Sequence, residues 1–229
     1  MSIATISEEL FEKLCAAQGF NCSRIPENSN ENAKTADYVV SLGSLALITE
    51  VKQLDPNDKD KKLAEVWGTE NSPGMVAPSN RIQGLLEEGY PQVKISSEKT
   101  YPTMIVVYNN SGRWNYIDTF TVAKAMFGSY GIVLGLQSNQ TIAVTGQGYL
   151  GKRKVTKNTF RSLSVVGVLK HGQSDTLIVD CYHNPFALIP INPSLLAGLA
   201  NEQYMHTNPH ERGFVSWEPT LLASRESVS

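Results

Sequence analysis

Cysteine is scarce in this chain. Its 229 residues hold three, Cys15, Cys22 and Cys181, and an odd, scattered set builds no disulfide framework. Reduced thiols in an intracellular chain are the expectation. Charge is sparse too. Charged residues make up 18% of the sequence and hydrophobic ones 41%, which excludes a highly charged disordered chain and allows a real core. A formal net charge of −2 excludes a chain coated in positive charge. The start lacks a basic stretch followed by an apolar one, so no signal peptide is expected. Long apolar runs are missing as well: Met104–Val107 and Ser164–Leu169 suit buried strands, not a membrane span. These absences predict a cytoplasmic protein. No internal repeat or low-complexity segment interrupts it.

The near-balance of charge hides an asymmetry. Residues 1–60 hold ten acids and five bases, whereas residues 151–170 hold Lys152, Arg153, Lys154, Lys157, Arg161 and Lys170 with no acid. Six cations in that space could follow a phosphate backbone or form a solvated hairpin.

Thr5-Ile6-Ser7-Glu8 has capping-box spacing and opens a helix. Leu10, Phe11, Leu14, Cys15 and Ala17 continue it at helical spacing, and Gly19 closes it. Phe20–Ile25 is strand-like. Two extended runs, Asp37–Leu42 and Leu45–Gln53, flank Gly43-Ser44, a two-residue hairpin signal. Residues 55–62 and 71–78 read as loops around a short helix at Leu63–Trp67. A helix capped by Ser79 is expected over Arg81–Gly89, a buried strand at Thr103–Tyr108, and a helix at Thr119–Phe127 stopped by Gly128. Strands are predicted at Thr141–Thr145, Ser162–Leu169 and Thr176–Tyr182, and a short helix after Pro193.

The Gly43-Ser44 turn sets cross-strand pairs. Leu42 faces Leu45, Val40 faces Leu47 and Tyr38 faces Thr49; Ser41, Val39 and Asp37 face Ala46, Ile48 and Glu50. Two carboxylates then oppose one another, roughly 5 Å apart at Cβ, which destabilises a sheet unless a cation intervenes. Lys52, two residues past Glu50, shares its face. Glu50-Val51-Lys52 is the chain's sole E-x-K triplet. An exposed strand edge would also accommodate such a triplet, but the opposed Asp37 makes this a hard-cation site with an ammonium beside it.

Asp37, followed after twelve residues by Glu50-Val51-Lys52, resembles the PD-(D/E)xK nuclease superfamily. The first helix fits, with Glu8, Phe11, Cys15 and Gly19 in the places of the glutamate, apolar or small residues and closing glycine; Glu9 is the other choice for the glutamate. Ala36 stands where the superfamily name has proline. The resemblance covers about residues 5–110 and implies an α/β, restriction-endonuclease-like mixed sheet core flanked by helices. Residues 111–229 would be a β-rich extension, within the same domain or beside it. It further implies a Mg²⁺- or Mn²⁺-dependent nuclease acting on nucleic acid, DNA before RNA. Asp37, Glu50 and the Val51 carbonyl would hold the metal, Lys52 would assist the attacking water, and Glu8 would act through water or a second ion. Arg81, Gln92 and Lys94 are placed to touch the phosphate backbone, as are Lys152, Arg153, Lys154 and Lys157 of the basic segment. Gln53 points to the other face. The second half is open to a specificity role, an extended sheet or dimerisation, so a homodimer is among the expected partners.

Two other readings stand beside this one. A nuclease fold without activity could bind nucleic acid or a protein. Alternatively, Gly146-Gln147-Gly148-Tyr149-Leu150-Gly151 matches the G-x-G-x-x-G of dinucleotide-binding folds after a strand-like run. The residues after it, rich in β-branched side chains and Asn, make a poor helix for phosphates to sit on. His206 and His210 flank Pro209 and make no helical metal pair; Trp67, Trp114 and Trp217 are scattered, and Cys181 lacks a catalytic setting.

Overall fold

The computed structural model describes residues 4–26, 34–66, 79–111, 117–136, 141–150, 153–172, 175–206 and 217–219. Gly151, Lys152, Trp67, Trp114 and His210 lie outside the described residues.

Helix α1 spans Ile6–Ala17 and begins with the expected capping box. Thr5 Oγ1 accepts from the Glu8 N–H at 3.3 Å, and Glu8 Oε2 accepts from the Thr5 N–H at 2.6 Å. Three strands follow: β1 (Cys22–Arg24), β2 (Tyr38–Leu42) and β3 (Leu45–Leu54). Gly43, at φ +62°, makes the two-residue turn between β2 and β3. The pairs are those expected, from Leu42 with Leu45 to Tyr38 with Thr49.

Helix α2 spans Asp58–Val66 and includes residues expected in a loop. Asn57 explains the difference: its Oδ1 accepts the Lys59 and Asp60 N–H groups at 2.9 and 3.0 Å, capping a polar helix. Helix α3 runs Ser79–Ser96, seven residues past the expected end and through Pro91. Ile82, Leu86 and Val93 are fully buried along it, so packing outweighs the hydrogen bond that proline removes. Strand β4 (Thr103–Asn109) and helix α4 (Thr119–Phe127) follow. Next come β5 (Ser129–Leu136), β6 (Ile142–Leu150), β7 (Val165–His171), β8 (Leu177–His183), α5 (Pro193–Leu196), β9 (Glu202–His206) and β10 (Trp217–Pro219).

The architecture is mixed α/β. Among the described residues, eight strands form one sheet in the order β1-β2-β3-β4-β7-β8-β9-β10. Strands β3, β4 and β7 are mutually parallel, and the β7–β8 and β9–β10 pairs are antiparallel. The second half therefore continues the sheet that the first half begins. Alternation along β4 splits the core: Ile105 and Val107 pack under α3 and α4, while Met104 and Val106 pack with Phe11, Leu14 and Cys15 of α1. Strands β5 and β6 make a separate two-stranded ribbon. Gly146 and Gly148 lie inside β6, paired with Val133 and Gly131, so these glycines form strand and not the phosphate-binding loop of a dinucleotide fold. No described helix is long and apolar enough to cross a membrane.

Candidate metal centre

The hairpin register, continued one step beyond Tyr38 and Thr49, sets Asp37 opposite Glu50. Asp37 is held at both ends of the residue. Its carbonyl accepts from the Ile25 N–H at 2.8 Å, and its Oδ2 accepts from the Val51 N–H at 2.8 Å. The preceding Ala36 is buried, and its N–H donates to Ser96 Oγ of α3 at 2.8 Å. Strand pairing and a helix end thus aim this carboxylate at β3.

Glu50 pairs with Ile105 and Lys52 with Val107 across β3 and β4, which puts both side chains on the face beneath α3. Glu50 is 2% exposed. Its Oε1 lies 2.8 Å from Lys52 Nζ, and its buried Oε2 accepts no hydrogen bond from the described residues. Burial first, then the Asp37 charge, pushes the Glu50 carboxyl up to about 8, against the pull of Lys52. Asp37 is raised as well, chiefly by burial and opposed by the Val51 hydrogen bond. Lys52 Nζ also meets Glu88 Oε1 at 3.0 Å. Burial works against its charge, but the two carboxylates prevail and hold it above the ordinary lysine value.

The donor set is hard oxygen, and two carboxylates suit a Mg²⁺ or Mn²⁺ that keeps several waters and shares a substrate phosphate. A buried oxygen without a donor, beside a second carboxylate, is a place where a cation would replace a shared proton. Among the described residues, no three His, Cys, Asp or Glu side chains gather around a common point for a metal. Glu8 lies near enough for its charge to act on Asp37, but its carboxylate is engaged by the Thr5 N–H. Gln53 faces away from the pair: its Oε1 accepts from the Ser7 N–H at 3.0 Å, at the start of α1.

Helix α3 contributes residues that no spacing argument selects. Gly89 sits over the site, where a Cβ would lie 3.2 Å from Glu50 Cγ. On another side of α3, Glu87 forms an ion pair with Lys154 and Tyr90 stacks on Phe160 at 4.1 Å. The helix therefore joins the carboxylate pair to the basic segment. A glycine and a glutamate three turns into a helix carry no local signature, and only the packing distinguishes them.

The expected phosphate-contacting residues divide. Arg81 is bound to Asp60 at 2.6 Å and to the Asp55 carbonyl. Gln92 is buried, its amide donating to the Glu88 carbonyl at 3.3 Å, while Lys94 is exposed. Arg153 lies over the Tyr149 ring, Lys154 is paired, and Lys157 and Arg161 are exposed. Lys170 is bound to Asp180. Segment 153–164 is irregular, so no helix N-terminus follows the glycines of β6. No family model, curated protein or solved structure matches the chain.

Proposed function

We propose that this protein is a divalent-cation-dependent nuclease of the restriction-endonuclease-like kind, cleaving nucleic-acid phosphodiester bonds with DNA as the first substrate to test. The observation that carries the reading is half-buried Asp37 set opposite buried Glu50, whose Oε2 accepts no hydrogen bond from the described residues, with the Lys52 ammonium 2.8 Å from Oε1. Element order supports it too: a helix, an antiparallel hairpin, a further helix and a strand parallel to the E-x-K strand.

Asp37 and Glu50, with the Val51 carbonyl beyond them, would hold Mg²⁺ or Mn²⁺. When bound, the ion would polarise the scissile phosphate and acidify a water. The Val51 N–H keeps the Asp37 carboxylate oriented. Lys52 stays cationic through its two carboxylate partners and can stabilise charge that develops on a phosphate placed beside Glu50. Exposed Lys94, Lys157 and Arg161 are available to the phosphate backbone.

The test uses plasmid, linear duplex, single-stranded DNA and RNA with Mg²⁺ or Mn²⁺. Wild type is compared with Glu50→Ala and Lys52→Ala. Cleavage by wild type, reduced at least a hundredfold in both variants, is expected on the scale of a lost transition-state contact. Intact substrates, or equal cutting by all three proteins, would dismiss the enzyme. The two-acid donor set favours one second reading, a nuclease fold that binds nucleic acid without cutting it. Retention of labelled DNA without cleavage would identify that case.

A further inference from the structure

The ribbon formed by β5 and β6 has an unusual surface. Residues 129–150 include no charged side chain and no proline. Leu134 faces Val144 and Leu136 faces Ile142, so these four share a face, and Ile132, two residues before Leu134, belongs to it. All five are between 55% and 73% exposed. On the opposite face, Thr145 lies over Gly135, where a Cβ would come within 2.3 Å of its methyl group, and Ala143 is paired with Gly135. The aliphatic face is therefore the one the ribbon offers outward. At its base, Tyr149 packs against Phe127 at 5.8 Å, and neither strand joins the large sheet.

An outer strand of this length is ordinarily protected by charge, proline or a covering element. Here charge and proline are missing, and no described element packs broadly along the ribbon. We infer that a second copy of this chain covers it, the two aliphatic faces packing across a two-fold axis. Five side chains, each opening on the order of 100 Å² of apolar surface, make roughly 500 Å² per copy, toward the upper end of patches on monomers. A stable interface buries about 800 Å² per partner, so the aliphatic face would form the greater part of one. Charge argues for the same occupant. The ribbon's own residues carry no cation, so its aliphatic face gives no counterion-releasing contact to nucleic acid; Arg153 lies at its base, over Tyr149. An uncharged aliphatic face is complementary to its own copy, as an isologous contact requires. The association does not depend on the nuclease reading.

The experiment is light scattering coupled to size exclusion, on the full chain at micromolar concentrations. Wild type is expected at the mass of two chains. Leu134→Glu with Leu136→Glu, and Leu134→Lys with Leu136→Lys, are each expected at the mass of one chain, and an equal mixture of the two variants returns to two. Both pairs lie outside the core, and unchanged circular dichroism and melting confirm the fold. Replacing residues 131–148 with a short Gly-Ser link is a further route to the one-chain mass. Wild type at the mass of one chain, or either charge variant at the mass of two, would overturn the proposal. So would one-chain wild type sedimenting with neutral phosphatidylcholine vesicles, which would assign the face to lipid.

Discussion

The Val51 N–H donates to Asp37 Oδ2 at 2.8 Å, so the strand that presents Glu50 also orients the carboxylate opposed to it. Two substitutions at Asp37 separate charge from geometry. Asp37→Asn keeps an acceptor for Val51 and removes the like charge, so the Glu50 carboxyl should titrate lower than in wild type, while burial, the larger cause, still holds it above the ordinary value. Asp37→Ala removes both and leaves a part-buried N–H unmet, at a cost of about 1–3 kcal/mol. Carboxyl titration by NMR and urea unfolding check the pair. Equal stability of the two variants would show that the Val51 bond contributes nothing.

Stability should depend on pH through Glu50. The folded carboxyl keeps its proton up to about 8, whereas an unfolded glutamate releases it near 4.5. The folded state thus binds more protons across that window, and stability falls as pH rises through it, by about 1.4 kcal/mol per pH unit. Below the window the contribution is complete; above about 8 it is gone. Urea midpoints without divalent cations should show this slope, and Glu50→Gln should flatten it. A cation at the pair displaces the proton, so its affinity should rise about tenfold per pH unit until about 8.

The hairpin was legible because its determinants are local. A Gly-Ser link sets the register, and the register opposes Asp37 to Glu50, with Lys52 on the same face by strand alternation. Helices α1 and α4 were equally plain, bounded by Thr5 and by Gly128. Other features arise from contacts distant in sequence. Glu88 reaches Lys52 across 36 positions, and α3 continues past Gly89 and Pro91 because Val93 is buried. Strand β5 lies in a glycine-rich stretch in which no strand is bounded before Thr141, and the glycines of β6 imitate a phosphate loop. Only the pairing of Gly131 with Gly148 distinguishes strand from loop. The join of β4 to β7 spans the ribbon and the basic segment, so no local pattern announces it.

Glu88 is 61% exposed yet grips a lysine that is 13% exposed. An ion pair with one partner in water contributes about 0–1 kcal/mol, so Glu88→Gln should barely move the melting temperature. Its effect belongs to the lysine. With Glu50 as the remaining ion partner, Lys52 should titrate lower than in wild type, since burial opposes its charge. Lysine Nζ titration by NMR reads this directly. An unchanged Lys52 with a large loss of stability would assign Glu88 to the fold instead.

Two glycines of one helix provide the sharpest comparison. Gly84 and Gly89 both lie in α3, where glycine costs about 0.5–1 kcal/mol relative to alanine. A Cβ at Gly84 meets nothing within 4 Å. Gly84→Ala should therefore show the full gain. A Cβ at Gly89 would lie 3.2 Å from Glu50 Cγ, closer than ordinary carbon contacts, and 3.4 Å from Ile105 Cδ1. Gly89→Ala must displace Glu50 or lift the helix, so its gain should be cancelled or reversed. Urea unfolding measures the difference between the variants, and calorimetric titration with Mn²⁺ shows its chemical consequence. Weakened Mn²⁺ binding in Gly89→Ala, with wild-type binding in Gly84→Ala, means that α3 sets the position of the carboxylate. Equal gains in stability and equal binding would mean that Glu50 moves aside freely and that the helix leaves the site unconstrained.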